Sequence, residues 1–293
     1  MKKQRIGFLA TLMTTLIWGS SFVIMKNTLD ALPVMYLLAF RFTVASVLMG
    51  IFSIKQIKAM NKKTLRGGVV MGIFLFLAYT FQTYGLDNTT PGRNAFLTAV
   101  YCVIVPFLNW GIKRVRPDKY NISAAILCII GVALISLTDG MAMGKGELLT
   151  LIGGLMYGFH IIATESATKH SGVQVLSFLQ FVVVAVLAWC SALFTEPMPQ
   201  AIPAQSLMGL AYLSVFCTAI CFFLQTVGQK LLPASQASII LTFESVFGVL
   251  FSVIFYNEVI TLRTALGCIF MFAAVIISET KLSFIKKKEL KKS

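Results

Sequence analysis

A carboxylate stands in the middle of an apolar run, at Ile239-Ile-Leu-Thr-Phe-Glu244-Ser-Val-Phe-Gly248. At the centre of a bilayer such a group costs about 2.5–3.5 kcal/mol on insertion scales, so it must face protein or water. Two chemistries suit it there: holding an amine, or taking up and releasing a proton. The structural alternative is an ion pair with Arg41, a guanidinium that also lies inside an apolar run. For Arg41 pairing is the favoured reading, because a permanent charge needs partners or a wet path. His160 also lies within an apolar run, whereas His170 sits in a connector. An intramembrane imidazole relays protons near neutral pH, or is simply a satisfied polar group.

Further polar and aromatic residues share helical faces. Thr11, Thr14, Trp18, Ser21 and Met25 recur at spacings of three or four, as do Thr150, Gly153, Tyr157, His160 and Thr164. Such spacings keep side chains on one side of a helix. For the small residues, close helix packing and cavity lining are both open. Trp18, Tyr157 and His160 favour a cavity, since bulky polar groups serve tight packing poorly. Tyr79, Gln82, Asn94, Tyr101 and Gln225 are further polar groups in apolar runs. Lys26 and Glu165 fall near run ends and can snorkel. Glu258 reads as interfacial.

The elements that position these residues are read from the bilayer. Only 12% of the chain is charged and 57% is hydrophobic, where soluble domains carry about 25% charge. Apolar runs long enough to span a membrane recur throughout. The ten expected helices cover Ile6–Lys26, Pro33–Ser53, Gly68–Leu86, Gly92–Ile112, Asn121–Leu137, Glu147–Thr168, Val173–Phe194, Ser206–Gln229, Ala234–Tyr256 and Leu262–Ile277. The first resembles a secretory signal, but its length and its echo from Gly146 onward argue for a retained helix.

The net charge of +14 does not point to nucleic acid, because the basic residues cluster in short connectors. With the N-terminus inside, 20 of the 25 lysines and arginines fall on the inner side, as the positive-inside rule expects. Both termini are then cytoplasmic. The lysine-rich tail after residue 281 suits anionic lipid or a partner. All six cysteines lie in apolar runs without a C-x-x-C pair, so they read as buried hydrophobes. No phosphate-binding G-x-x-x-x-G-K-[ST], H-E-x-x-H or G-x-S-x-G motif is present. That argues against ATP-driven transport by this chain alone and against those hydrolase classes.

The chain also repeats itself. Shifted by 139, Gly7, Leu9, Thr11, Leu12, Leu16 and Gly19 fall on Gly146, Leu148, Thr150, Leu151, Leu155 and Gly158. Shifted by 142, Pro91, Ala95, Leu108, Ile112, Ile135 and Ser136 fall on Pro233, Ala237, Leu250, Ile254, Ile277 and Ser278. Five spans per unit is odd, so the copies enter the membrane from opposite sides. An inverted repeat of this kind builds a central site with two-sided access.

Trp18-Gly19-Ser20-Ser21-Phe22 with Lys26 resembles the first helix of EamA-type proteins of the drug/metabolite transporter superfamily. Phe40-Arg41-Phe42 is similar to that family's second helix. Leu97-Thr98 through Pro106, and Glu244-Ser245-Val246-Phe247 through Asn257-Glu258, resemble its fourth and ninth helices. Ser245 departs from the proline many members carry there. The resemblance implies ten helices around a central cavity built mainly from helices 1, 3, 4, 6, 8 and 9, and movement of small organic solutes.

The expectation is therefore an all-α integral membrane protein with ten transmembrane helices in two inverted five-helix repeats, 6–137 and 146–280, and a basic tail, 281–293. It is a plasma-membrane secondary transporter, an exporter of amino acids or related metabolites by alternating access. A channel and a lipid-modifying membrane enzyme are the alternatives. Substrate contacts are expected at Trp18, Ser21, Tyr79, Gln82, Asn94, Tyr101, Tyr157, His160, Gln225 and Glu244, with ion coupling at Glu244 and His160. No catalytic residue, metal ligand or cofactor is expected. The partners are a small-molecule substrate and membrane lipids, not nucleic acid, and the chain is a monomer or homodimer.

Overall fold

The computed structural model describes residues 2–114, 116–136, 143–232, 240–241 and 243–281. Among the described residues the regular structure is helical, without a strand. In chain order the helices are α1 (Lys2–Leu29), α2 (Val34–Lys58), α3 (Lys62–Asp87), α4 (Pro91–Thr98), α5 (Tyr101–Lys113), α6 (Lys119–Ser136), α7 (Lys145–Thr168), α8 (Val173–Thr195), α9 (Ala204–Tyr212), α10 (Cys221–Leu231), α11 (Phe243–Tyr256) and α12 (Leu262–Thr280). A π-helical stretch, Leu213–Ile220, joins α9 to α10.

Among the described residues seven helical segments are long and apolar enough to cross a membrane: 4–29, 34–58, 62–87, 91–112, 145–168, 173–195 and 204–231. The expected fifth, ninth and tenth spans fall on three shorter apolar helices, 119–135, 243–256 and 262–277. Residues 137, 234–239 and 242, which the expected spans included, lie outside the described residues, as does the tail beyond 281. Large apolar side chains ring the outside, with Phe194 89% and Phe52 73% exposed. Helices apolar on their outer faces are stable only against lipid.

The fourth expected span is broken. A turn at Ala99 and Val100 separates α4 from α5. There the amides of Ala99 and Val100 bond back three residues, to Phe96 and Leu97. Pro106 follows within α5 and has no amide for the carbonyl of Cys102. The break puts Thr98 and Tyr101 at a bend rather than along a straight rod.

Helices pair across the two halves of the chain. α3 lies along α7, α2 along α8, and α6 along α12; α1 packs on α10 and α11, and α4 on α11 and α7. Glycines permit the closest approaches. At Gly153 an added Cβ would stand 2.9 Å from the backbone nitrogen of Gln82 and 3.1 Å from the carbonyl of Ala78, so α7 meets the α3 backbone directly. At Gly19 it would overlap the Cβ of Phe247 on α11. Gly19→Val should therefore lower stability by about 1–3 kcal/mol, the usual cost of overpacking a fitted interface. Thermal unfolding of the purified protein in detergent reads this directly; an unchanged midpoint would show that α1 and α11 separate freely.

Carboxylates cap helix starts at one end of the bundle. Glu196 accepts from the amides of Met35 and Tyr36 at the start of α2, at 2.9 and 3.4 Å, and from the Tyr84 hydroxyl at 2.8 Å. Glu258, expected as an interfacial end residue, accepts from the Gly92 amide at 2.9 Å and from the hydroxyls of Thr90 and Ser252. Both carboxylates satisfy orphan amides and complement the helix dipole. Lys26 does the reverse, donating at 2.8 Å to the last carbonyls of α3, Leu86 and Asp87. At the opposite end Asp118 ties α6 to α12 through an ion pair with Lys281 at 2.6 Å. Burial opposes the Asp118 charge, but Lys281 and the amides of Tyr120 and Asn121 outweigh it and hold the carboxyl below its ordinary value.

Candidate functional site

The site is built on α1. Trp18, Ser21, Phe22 and Met25 recur at three- and four-residue spacing and face inward together. Opposite them stand Tyr79 and Gln82 of α3, Tyr157 and Ile161 of α7, and Gln225 of α10. Thr98 and Tyr101 enter from the α4–α5 bend, and Glu244 from α11. These residues surround a narrow cavity of about 20 Å³, room for about one water molecule, so the walls stand closed together in this conformation.

Gln82 fixes one wall. Its amide nitrogen donates to Thr98 Oγ1 at 3.1 Å, and its amide oxygen accepts from the Tyr157 hydroxyl at 2.9 Å. The carbonyl of the same residue accepts from Asn94 at 3.1 Å, and Asn94 reaches on to Thr150 at 2.7 Å. Both amide hydrogens of Asn94 are thus spent on helix–helix contacts behind the wall. The rings of Tyr79 and Tyr101 stand 5.7 and 6.3 Å from that of Tyr157. Trp18 meets Phe222 edge-on at 4.9 Å.

Behind Tyr79 lies Arg41, wholly buried. Its guanidinium donates to Thr218 Oγ1, to the Tyr79 hydroxyl at 3.0 Å, to the Cys217 carbonyl at 3.4 Å and to Met25 Sδ at 3.4 Å. It also lies over the Tyr79 ring, 4.7 Å from the centroid. The π-helical stretch supplies two of these acceptors. Its wider turn leaves the Cys217 carbonyl available to both Arg41 and the Trp18 indole, the latter at 2.8 Å. Among the described residues Arg41 forms no ion pair, so the pairing with Glu244 weighed from sequence is absent. Neutral acceptors and an aromatic face hold the charge instead.

Eight of the ten residues expected to contact substrate line this cavity: Trp18, Ser21, Tyr79, Gln82, Tyr101, Tyr157, Gln225 and Glu244. Asn94 and His160 do not. His160 is buried against Phe222, 6.1 Å between ring centres, and its Nε2 pairs with Gln180 of α8 at 2.9 Å. Thr11 and Thr14 bond to their own helix, at Gly7 and Ala10. Phe22, Met25, Thr98 and Ile161 line the cavity without having been among the expected contacts, although Met25 lay on the face read for α1. Phe22 lies one turn from Trp18 and Ile161 one turn from Tyr157, a spacing that would have found both.

The cavity can offer one carboxylate, several hydroxyl and amide groups, and aromatic faces. That set suits a small organic molecule with an amine and an apolar part. Comparison with known proteins points to transport, without naming what is moved. The sequence pattern described as the EamA-like transporter family matches residues 5–137 and 144–280. An uncharacterized transporter of Archaeoglobus fulgidus is 31% identical over 275 residues, covering 94% of this chain and 86% of its own. The uncharacterized transporter YoaV of Bacillus subtilis is 21% identical, covering 95% and 97%. A solved crystal structure shares the fold with a TM-score of 0.70 at 14% identity, over 94% of this chain and 98% of that one.

Proposed function

The chain belongs to the EamA-like transporter family, and on that premise we propose that it is a secondary exporter of small amine-bearing metabolites, amino acids or related compounds, working by alternating access. The observation that carries the substrate reading is Glu244 in the wall of a cavity otherwise made of aromatic, amide and hydroxyl groups. A carboxylate there balances a substrate ammonium, and Trp18, Tyr79, Tyr101 and Tyr157 add aromatic faces that attract a cation and cover apolar atoms.

Alternating access rests on the repeat. In this reading the ten apolar segments are ten spans, with the halves inverted. Helix pairing supports it: exchanging the halves turns α2 on α8 and α6 on α12 into themselves, and α3 on α7 into α10 on α1. Such symmetry gives two openings of related shape around one site. The acid-capped end, where Lys26, Glu196 and Glu258 bind helix termini, is the outer one by the positive-inside rule, and both termini face the cytoplasm of a plasma-membrane protein.

Tyr157→Phe should raise the KM for the transported solute about fivefold, because Gln82 loses a hydrogen bond worth about 1 kcal/mol and its orientation in the wall. Initial uptake rates into proteoliposomes measure this, and an unchanged KM would put substrate recognition elsewhere. The substrate itself is found by comparing the metabolites inside cells with and without the protein, then testing in proteoliposomes the solutes that its presence depletes. A depleted solute that crosses unchanged, with saturation, supports the exporter. A chemically altered solute would instead support a membrane enzyme.

A further inference from the structure

A second groove lies away from the central cavity, between α3 and α7, and its argument is independent of the transport reading. On α3 its wall runs from Lys63 and Arg66 to Phe74; opposite, it runs from His170, just past the end of α7, back along α7 to Phe159. Each edge spans twelve residues, eleven steps of 1.5 Å or about 16 Å. The basic side chains lie together at one end and the apolar ones at the other. Phe74 and Phe159 close the apolar end by stacking at 5.2 Å. The groove has a volume of about 530 Å³ and opens outward past Ile112, which is 55% exposed.

Length and polarity together limit the occupant. Half of a hydrocarbon core about 30 Å thick is about 15 Å deep, the length of this groove. Lys63, Arg66 and His170 are exposed, and among the described residues none of them is in an ion pair with a carboxylate. The charges of Lys63 and Arg66 are free for an anion at headgroup depth, while the walls from Val70 to Phe74 and from Ala163 to Phe159 offer hydrocarbon. A soluble anion has no use for the apolar length, and a neutral lipid has no use for the basic end. We propose that this groove is a binding site for one anionic phospholipid of the lysine-rich leaflet, its phosphate held by Lys63 and Arg66 with His170 beside them and an acyl chain along Val70, Phe74 and Phe159.

The test is native mass spectrometry of the purified full-length protein with phosphatidylglycerol or phosphatidylcholine added. The wild type should retain one phosphatidylglycerol in preference to phosphatidylcholine. Lys63→Gln with Arg66→Gln should weaken retention about thirtyfold, from about a factor of five for each basic side chain at an anionic surface. Lys55→Gln with Lys58→Gln removes the same charge from the last turn of α2, outside the groove, and should leave retention as in the wild type. Equal losses in the two double variants would reduce the effect to general surface charge and overturn the site. So would equal retention of the two lipids, or displacement by equimolar glycerol phosphate, which carries the anion without the chains.

Discussion

Glutamine at position 244 is expected to cut saturable transport of an amine-bearing solute by at least about tenfold, with the fold intact. Glu244 lines the cavity, and among the described residues no lysine or arginine holds it in an ion pair. Its carboxyl is therefore left for a substrate rather than committed to a basic side chain of the scaffold. A hydrogen bond to a charged group contributes about 1.5–3 kcal/mol, which is a factor of about ten to a hundred and fifty in binding. Glutamine keeps the shape and the hydrogen-bonding reach but not the charge. Aspartate keeps the charge on a shorter arm and should retain part of the activity. The measurement is uptake by proteoliposomes containing wild type, Glu244→Gln and Glu244→Asp, with thermal unfolding as the control. Full activity in the glutamine variant would remove Glu244 from substrate recognition.

Arg41→Ala should act on the fold, lowering stability by about 2–5 kcal/mol, from buried acceptors left without a donor and the void left by a large side chain. Alanine leaves Thr218, Tyr79 and the Cys217 carbonyl without their shared donor, and a void where the guanidinium stood. Arg41→Lys should recover little. One ammonium cannot reach Thr218 on the π-helical stretch, the Tyr79 hydroxyl and the Cys217 carbonyl in the geometry of a planar fork. Tyr79 also lines the cavity, so loss of Arg41 should disturb transport through the position of that ring. The readout is the unfolding midpoint in detergent. A lysine variant as stable as the wild type would show that only charge is needed at this position.

What the sequence made legible follows from what the bilayer demands. A membrane forces apolar runs of fixed length, so most helices are visible as composition alone. Trp18, Tyr79, Tyr157 and Glu244 stood out because polar or bulky groups in such runs need a protein-lined space. His160 stood out by the same rule and went elsewhere. It shares α7 with Tyr157, but a rotation of less than a turn points it at Gln180 instead of the cavity, and only the neighbouring helix α8 decides that. Asn94 is similar: its two donors are consumed by Gln82 and Thr150, partners on other helices.

Two features were closed to sequence reasoning. The bend at Ala99 and Val100 has no glycine, and Pro106 lies beyond it. The π-helical stretch at 213–220 has no sequence signature, yet it supplies the acceptors that let Arg41 remain buried without a carboxylate. The pairing of Arg41 with Glu244 was a natural inference from their types. Their separation depends on a backbone irregularity that types do not reveal.

The central claim is that one cavity, reached alternately from two sides, carries the solute. Counterflow tests it most directly. Proteoliposomes are preloaded with unlabelled solute at saturating concentration, and the entry of labelled solute is followed against empty vesicles. A carrier returns to the outer side faster when it is loaded, so preloading should accelerate labelled entry and produce a transient accumulation above equilibrium. Entry indifferent to preloading, rising without saturation and accompanied by unitary currents, would contradict the account and make the protein a channel.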